Sequence, residues 1–243
     1  MSRLRLALAL AALLSLTFAA GVVAHGAGLA PGWDFSGGSR PRPSAPPPDD
    51  DEVIHNVATD QANPFISNGV SVGSEVGLYF SSGIGPAGLN AAAPAGTPER
   101  FVDPAQFPGG TLTPGVTITE AQAMNAFARI TDNLATVGLS PRDVITLRIF
   151  LDNAPGQPAM DFAGLNRAYR QFFANVDLQT GATLPQPRGS GEPGPPLVVN
   201  PVRPSRTALE VASLPSAGWL VEVEAVARFK NERGGGHGGG WGR

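Results

Sequence analysis

Apolar residues recur every three or four positions between Thr119 and Gly138, and this spacing predicts an amphipathic helix. Thr119 is expected to cap its N-terminus, with Gln122 as the capping-box partner, and Gly138 is expected to end it. The apolar stripe consists of Met124, Phe127, Ile130, Leu134 and Val137. A second helix is predicted from residue 160 or 161 to residue 174, with aromatic side chains available to cover a sheet.

Strands are predicted where apolar and polar residues alternate. Two such runs precede the first helix, one lies between the helices and two follow the second: 69–72, 76–82, 144–151, 206–212 and 219–229. In the last run the odd positions are apolar, whereas the even positions include Glu222 and Glu224. The order indicates one α+β domain over 63–229, with two helices packed on one face of a sheet.

The alternation also predicts which side chains share a face of the sheet. In the run 206–212, Leu209 and Val211 are expected to face the helices, which leaves Arg206 on the opposite, charged face. Glu222 is expected on that same face. Because the face combines charged and apolar residues, it suits a subunit interface better than exposure to water.

The chain ends differ in composition from this domain. Arg3 and Arg5 precede an uncharged apolar run that ends at Ala24, so 1–24 is predicted to be an export signal cleaved after Ala24. The run is nearly long enough to remain as an uncleaved membrane anchor. The Pro/Gly-rich and acidic segment 25–62 is predicted to be a linker, and the Gly-rich 230–243 a tail. We therefore expect a periplasmic or secreted protein, in contact with a membrane only if the signal is retained.

Composition narrows the chemistry. The chain has no cysteine, which excludes disulfides and thiol nucleophiles, and a net charge of -3 without a basic stripe argues against nucleic acid as a partner. The three histidines, at 25, 55 and 237, fall in the predicted linker and tail, so neither a metal centre nor a Ser-His-Asp triad is expected in the domain. Two Pro/Gly-rich stretches without periodicity, 89–117 and 175–202, are predicted to be loop insertions.

The segment Gly83–Gly88 matches the GxGxxG pattern of dinucleotide-binding turns. The residues that follow contain two prolines and show no helical stripe. Because the pyrophosphate of a dinucleotide needs a helix N-terminus, we do not expect a dinucleotide cofactor here.

The segment 204–227, PSRTALEVASLPSAGWLVEVEAVA, resembles the C-terminal segment of the reactive intermediate deaminase family, RidA/YjgF. Ser81–Gly83, the helix and turn that precede residue 145, and the run 160–173 resemble further segments of that family in the same order. The resemblance implies the chorismate-mutase-like RidA fold, with a mixed β-sheet, in a homotrimer with a central barrel. It also implies sites in the intersubunit clefts that hydrolyse 2-imino acids and their enamine tautomers to 2-oxo acids and ammonia, without a cofactor.

The resemblance assigns roles to individual residues of this chain. Arg206 matches the family's carboxylate-binding arginine, and Glu222 matches the acid that positions water and transfers protons. Ser82 and Gly83 match the substrate-contacting loop, and Asn166 matches an asparagine near the site.

Three positions in the same region depart from the family. Phe65 stands where tyrosine is frequent, Ile84 where glutamine is frequent, and Ala208 where cysteine is frequent. Each change removes a polar group, which indicates a more apolar pocket, a larger substrate or a weaker activity. Phe65 is retained as a substrate-binding candidate.

Two alternatives to the enzyme remain open at this stage. Arg206 can instead form a structural salt bridge with Glu210, Glu222 or Glu224. The chain can also be a noncatalytic protein that binds a small carboxylate on the same trimeric scaffold, because binding needs the arginine but no proton-transfer acid. The ribonuclease activity attributed to some relatives is disfavoured by the acidic charge balance.

Overall fold

The computed structural model describes residues 46–230. This range contains six strands and two α-helices. In chain order they are β1 (Val53–Val57), β2 (Ser67–Val72), β3 (Leu78–Phe80), α1 (Ile118–Ala135), β4 (Val144–Leu151), α2 (Phe162–Arg170), β5 (Ser205–Glu210) and β6 (Val221–Arg228). The predicted signal 1–24 and all of the tail except Lys230 lie outside the described residues.

Four strands form a mixed sheet in the order β3-β6-β4-β5. β4 and β5 run parallel, and the other neighbours are antiparallel. The remaining strands, β1 and β2, form an antiparallel pair of their own. The amide of Ser67 in β2 donates to the carbonyl of Pro204, which places this pair beside the start of β5.

The position of β1 corrects one prediction. The segment 25–62 was expected to be a linker, yet Val53–Val57 form a strand with Val53 opposite Val72 of β2. His55 lies in this strand, where its Nδ1 is 3.1 Å from the carbonyl oxygen of Arg203. The ordered part of the chain therefore begins before residue 63.

The helices cover one face of the sheet, as the sequence predicted. α1 packs on β6 and on α2. The side chains of β4 and β6 that face the helices are buried: Leu147, Ile149, Leu151, Val221, Val223, Ala225 and Ala227. An aromatic cluster closes the core, with the ring of Phe127 5.6 Å from that of Phe172 and 5.9 Å from that of Phe173. This arrangement confirms the α+β class with a mixed sheet and two helices on one face.

The helix ends differ in detail from the prediction. Thr117, and not Thr119, caps α1, because the Thr117 hydroxyl oxygen accepts from the amide of Glu120 at 3.1 Å. Thr119 lies inside the helix and is fully buried. Gly138 follows the helix with φ +76°, the left-handed conformation typical of a helix end. α2 stops at Arg170, and the predicted last residues 171–174 form turns.

The loop insertions are held by polar side chains buried in the helices. On α1, Gln122 donates to the carbonyls of Pro98 and Gly218 at 2.9 and 2.8 Å. Asn125 donates to the carbonyl of Phe101 at 2.9 Å. Because these contacts satisfy backbone groups of the insertion 89–117 inside the core, the insertion is part of the domain.

Within residues 46–230, no helix combines the length and the apolar character that crossing a membrane requires.

Candidate functional site

Arg206 lies under α2, in contact with aromatic rings. Its Nη2 donates to Oδ1 of Asn166 at 2.7 Å. The guanidinium carbon is 4.6 Å from the centre of the Tyr169 ring and 5.6 Å from that of the Phe162 ring. Burial lowers the pKa of the Arg206 guanidinium, while the phenol of Tyr169 acts in the opposite direction. The two rings and the amide hold the guanidinium in one orientation.

No carboxylate neutralises Arg206 within residues 46–230. The three ion pairs in this range join Arg148 to Glu224, Arg167 to Glu120 and Lys230 to Asp143. The carboxylate of Glu210, a predicted partner, instead accepts from the amide of Met160 at 2.8 Å. The structural salt bridge considered for Arg206 is therefore absent, and its Nη1 is buried without a hydrogen-bond partner.

Arg203 shows what a purely structural arginine looks like in this fold. It is more deeply buried than the partly buried Arg206 and also lacks a carboxylate, but backbone carbonyls satisfy its guanidinium. Nε donates to Pro64 and Nη2 to Val176, both at 2.9 Å. Arg206 has no such set of carbonyls. A buried cation without compensation is costly unless an anion joins it.

Glu222 lies on the opposite face of the sheet. Arg206 of β5 is the register partner of Leu147 in β4, whose side chain is buried beneath the helices. Glu222 of β6 is the partner of Phe150, which points the other way. The prediction that Arg206 and Glu222 share a face is therefore wrong. The face of β5 that carries Leu209, expected to be covered, is the open one, with Leu209 48% exposed.

Ser82, Gly83 and Glu222 form a second group on the open face. The chain at 81–84 runs along β6, since Ile84 and Val223 exchange backbone hydrogen bonds. A Cβ on Gly83 would lie 1.8 Å from Oε1 of Glu222. Glycine at this position leaves room for the Glu222 carboxylate in its present orientation, which a larger residue would displace. Ser82 is exposed beside it.

Phe65 joins the Arg206 group through α2. Its carbonyl accepts from the phenol of Tyr169 at 2.8 Å, and its ring, 48% exposed, lies 4.5 Å from the guanidinium carbon of Arg170. Burial raises the pKa of the Tyr169 phenol, which stays protonated as that donor. The predicted residues thus fall into two groups, which we call the arginine half-site (Phe65, Asn166, Arg206) and the glutamate half-site (Ser82, Gly83, Glu222).

Tyr169 and Phe162 are the contacts that the sequence analysis missed. They stand three residues after and four residues before Asn166, so all three lie on one side of α2. That spacing was readable in the sequence and indicates that the three side chains share one side of the helix, but it does not say which strand lies beneath them. The two rings belong to the arginine half-site as its walls.

The GxGxxG segment has a packing role. A Cβ on Gly85 would lie 2.3 Å from two atoms of the Trp219 ring, so glycine there admits the indole. No α-helix follows the segment until Ile118. In the described part of the chain, no group of three or more His, Cys, Asp or Glu residues is arranged to hold a metal ion.

The family model described as endoribonuclease L-PSP matches residues 106–229, just over half of the chain. The matched region contains α1, α2 and the last three strands of the sheet, together with Arg206 and Glu222. The chain therefore belongs to this family, the RidA/YjgF-like family that its motifs indicated.

Solved structures of the same kind are similar at low identity. Escherichia coli TdcF with bound serine is 22% identical with a TM-score of 0.36, covering 63% of this chain and 80% of that chain. A YjgF-family member from Neisseria meningitidis is 17% identical with a TM-score of 0.34, covering 74% and 96%. A Thermotoga maritima protein described as a putative endoribonuclease is 24% identical with a TM-score of 0.34, covering 72% and 98%. A search of curated proteins found no match.

Proposed function

We propose that this protein hydrolyses reactive 2-imino acids, and their enamine tautomers, to 2-oxo acids and ammonia. The observation that carries the proposal is the guanidinium of Arg206, which has no ion pair among residues 46–230 and whose Nη1 is buried without a hydrogen-bond partner. A carboxylate meets a guanidinium through two parallel hydrogen bonds, which fixes both the position and the orientation of the substrate. The resemblance to the RidA/YjgF family implies the same chemistry, whereas the matching family model is described as an endoribonuclease.

The two half-sites of one chain cannot form a common site, so a complete site needs one half-site from each of two chains. On one chain the sheet separates Arg206, under α2, from Glu222 on the open face. We place the complete site where the arginine half-site of one subunit faces the glutamate half-site of its neighbour. This agrees with the intersubunit clefts that the family resemblance implies. Neither half-site is then sufficient by itself.

The proposed reaction divides its tasks between the half-sites. Arg206 holds the substrate carboxylate, and Asn166 holds Arg206. Glu222 takes a proton from water while the water oxygen bonds to C2 of the imine and the C2=N π electrons move to nitrogen, and Glu222 then gives that proton to the nitrogen. Glu222 next takes the proton of the new C2 hydroxyl and passes it to the nitrogen as C2=O forms and the C2–N bond breaks, so that ammonia leaves and the 2-oxo acid remains. Water is the only co-reactant.

We expect a trimer in solution, because the open face is too apolar for a monomer. Phe80 is 64% exposed and Leu209 48%, and both lie on the same face as Glu222. Burying this face against other chains removes the apolar area from water. Multi-angle light scattering measures the mass directly. A stable monomer at micromolar concentration would contradict both the assembly and the shared site.

Subunit mixing tests whether one site takes residues from two chains. Arg206→Ala and Glu222→Gln chains should each be nearly inactive alone. After co-expression in equal amounts, about a quarter of the sites of a cyclic trimer receive an intact Arg206 and an intact Glu222. Imine hydrolysis should recover in proportion. Failure to recover any activity in verified mixed trimers would place both residues in the same chain's site.

A noncatalytic carboxylate-binding protein is the second candidate. The observation that favours it is the apolar character of three positions near the half-sites, Phe65, Ile84 and Ala208. Such a protein needs Arg206 and not Glu222. Purified protein that binds 2-oxo acids yet hydrolyses no imine above the uncatalysed rate would favour this candidate. In either case we propose that the protein acts outside the cytoplasmic membrane, where the predicted signal would direct it.

A further inference from the structure

The first insertion builds a cavity of about 730 Å³ that none of the half-site residues lines. Its walls come from the insertion 89–117, from the start of α1 and from the segment between β4 and α2. This volume lies in the range of pockets that hold a small organic molecule. We call it the insertion cavity.

The insertion cavity lies beside the arginine half-site without including Arg206, since Asp161 in the cavity wall directly precedes Phe162. Its wall includes Met160, whose amide bonds to Glu210 at the end of β5, whereas Arg206 is near the beginning of that strand. Four residues of extended strand correspond to roughly 13 Å. A ligand in the cavity would therefore leave Arg206 free.

The body of the cavity is apolar. Val102 is buried in its wall, and Leu112, Ile118 and Met160 are partly buried there. Prolines complete the lining on both sides. Such walls favour an aliphatic or aromatic body of the ligand.

One polar group in the wall lacks the partner that its burial demands. Thr119 is fully buried and lines the cavity, yet its hydroxyl has no hydrogen-bond partner within residues 46–230. A threonine within a helix commonly satisfies its hydroxyl on a neighbouring carbonyl. An unpaired buried hydroxyl is costly, and a polar group on a bound molecule would remove that cost.

The charged residues that line the cavity determine whether the polar group of a bound molecule is favoured as a cation or as an anion. Glu99 and Asp161 line the cavity, and no Lys, Arg or His does. Glu99 is exposed, whereas Asp161 accepts from the amide of Gly164 at 2.8 Å and from the hydroxyl of Thr117. Asp161 is the N-cap of α2, so the starts of both helices face the cavity. Two full negative charges outweigh the partial positive charges of about half a unit at each helix start, which favours a cation over an anion.

We infer that the insertion cavity binds a small organic amine, with its apolar body against Leu112, Ile118 and Met160 and its ammonium group toward Glu99 and the hydroxyl of Thr119. This site is separate from the one proposed for imine hydrolysis. The insertion cavity forms because backbone carbonyls of the insertion accept hydrogen bonds from Gln122 and Asn125 of α1.

Calorimetric titration with 2-phenylethylamine at neutral pH tests the inference, with 3-phenylpropanoate as the anion of similar shape. The amine should bind saturably at one site per chain, and the anion should not. A dissociation constant for the amine weaker than about 10 mM, or equal binding of the anion, would overturn the inference.

A substitution at the mouth of the cavity localises the binding. Ala159 is exposed there, so Ala159→Trp should fold normally and weaken amine binding by at least about tenfold through loss of space. Ala182→Trp, at an exposed alanine of the second insertion, is the matched control. Imine hydrolysis should be unchanged in both, which separates this test from that of the proposed function. Equal amine binding by the two variants would overturn the assignment.

Thr119→Val tests the hydroxyl without changing the shape of its side chain. It should weaken amine binding several-fold while leaving the melting temperature of the free protein unchanged or higher, because the unpaired hydroxyl is gone. The control is Thr113→Val, at an exposed threonine of the insertion 89–117. Unchanged amine binding in Thr119→Val, or a lower melting temperature in its free form, would show that the hydroxyl serves the fold and not the ligand.

Discussion

Glu222→Gln is expected to lower the turnover rate of imine hydrolysis by roughly 10² to 10⁴-fold, because an amide cannot take the proton of the attacking water. The substitution keeps the size of the side chain beside Gly83, so the fold and the binding of 2-oxo acid should persist. An amino acid oxidase supplies short-lived imines, and their hydrolysis is followed against the uncatalysed background.

The matched control for this variant is Glu224→Gln. Glu224 lies on the same strand and face, two residues farther along, and pairs with the exposed Arg148 at 3.4 Å. Its loss should cost little activity, since exposed ion pairs contribute little. If Glu222→Gln and Glu224→Gln hydrolyse imines equally well, Glu222 is not the proton-transfer group.

Arg206→Ala is expected to weaken substrate and 2-oxo acid alike by about 2 to 4 kcal/mol, because both carry the carboxylate that the guanidinium binds. The fold should survive, since the removed charge has no carboxylate partner among the described residues. Calorimetric titration with pyruvate and the KM for imines measure the two effects separately.

Two other arginines provide the comparison. Arg203→Ala should lower the melting temperature, because the Arg203 guanidinium bonds to backbone carbonyls of three segments. Arg142→Ala, at an exposed residue, should change neither binding nor stability. Arg206→Ala protein that still binds 2-oxo acids like the wild type would remove the arginine half-site from the proposal.

The order of elements was predictable because their patterns are long and regular. The predicted apolar stripe begins at Met124 inside α1 and ends at Val137, in the turn that follows the helix. The predicted strand 144–151 has the same bounds as β4. β1 was missed because its five residues, VIHNV, are at most partly buried and give only a weak apolar signal. The helix cap was misplaced by two residues, although Thr117 with Glu120 three residues later is itself a capping-box pattern.

The identity of the candidate site residues was accessible from the sequence, but their arrangement was not. Alternation gives the two faces of β5 without saying which one meets the helices, and Leu209 is more apolar than Arg206. In the structure, Arg206 and not Leu209 lies on the face of β5 that meets the helices. Tyr169 and Phe162 supply an aromatic bed for the guanidinium, and the parallel register with β4 turns Arg206 to the buried side.

The uncompensated charge of Arg206 also affects the stability of the protein without a ligand. A buried cation that only one amide and two rings accompany makes the free chain less stable than an apolar side chain of similar size would. An anion that binds there therefore acts as part of the fold, and the melting temperature should rise with its concentration. Resistance to heat and to proteases would then report how much ligand surrounds the protein, with tolerance highest where carboxylates are abundant.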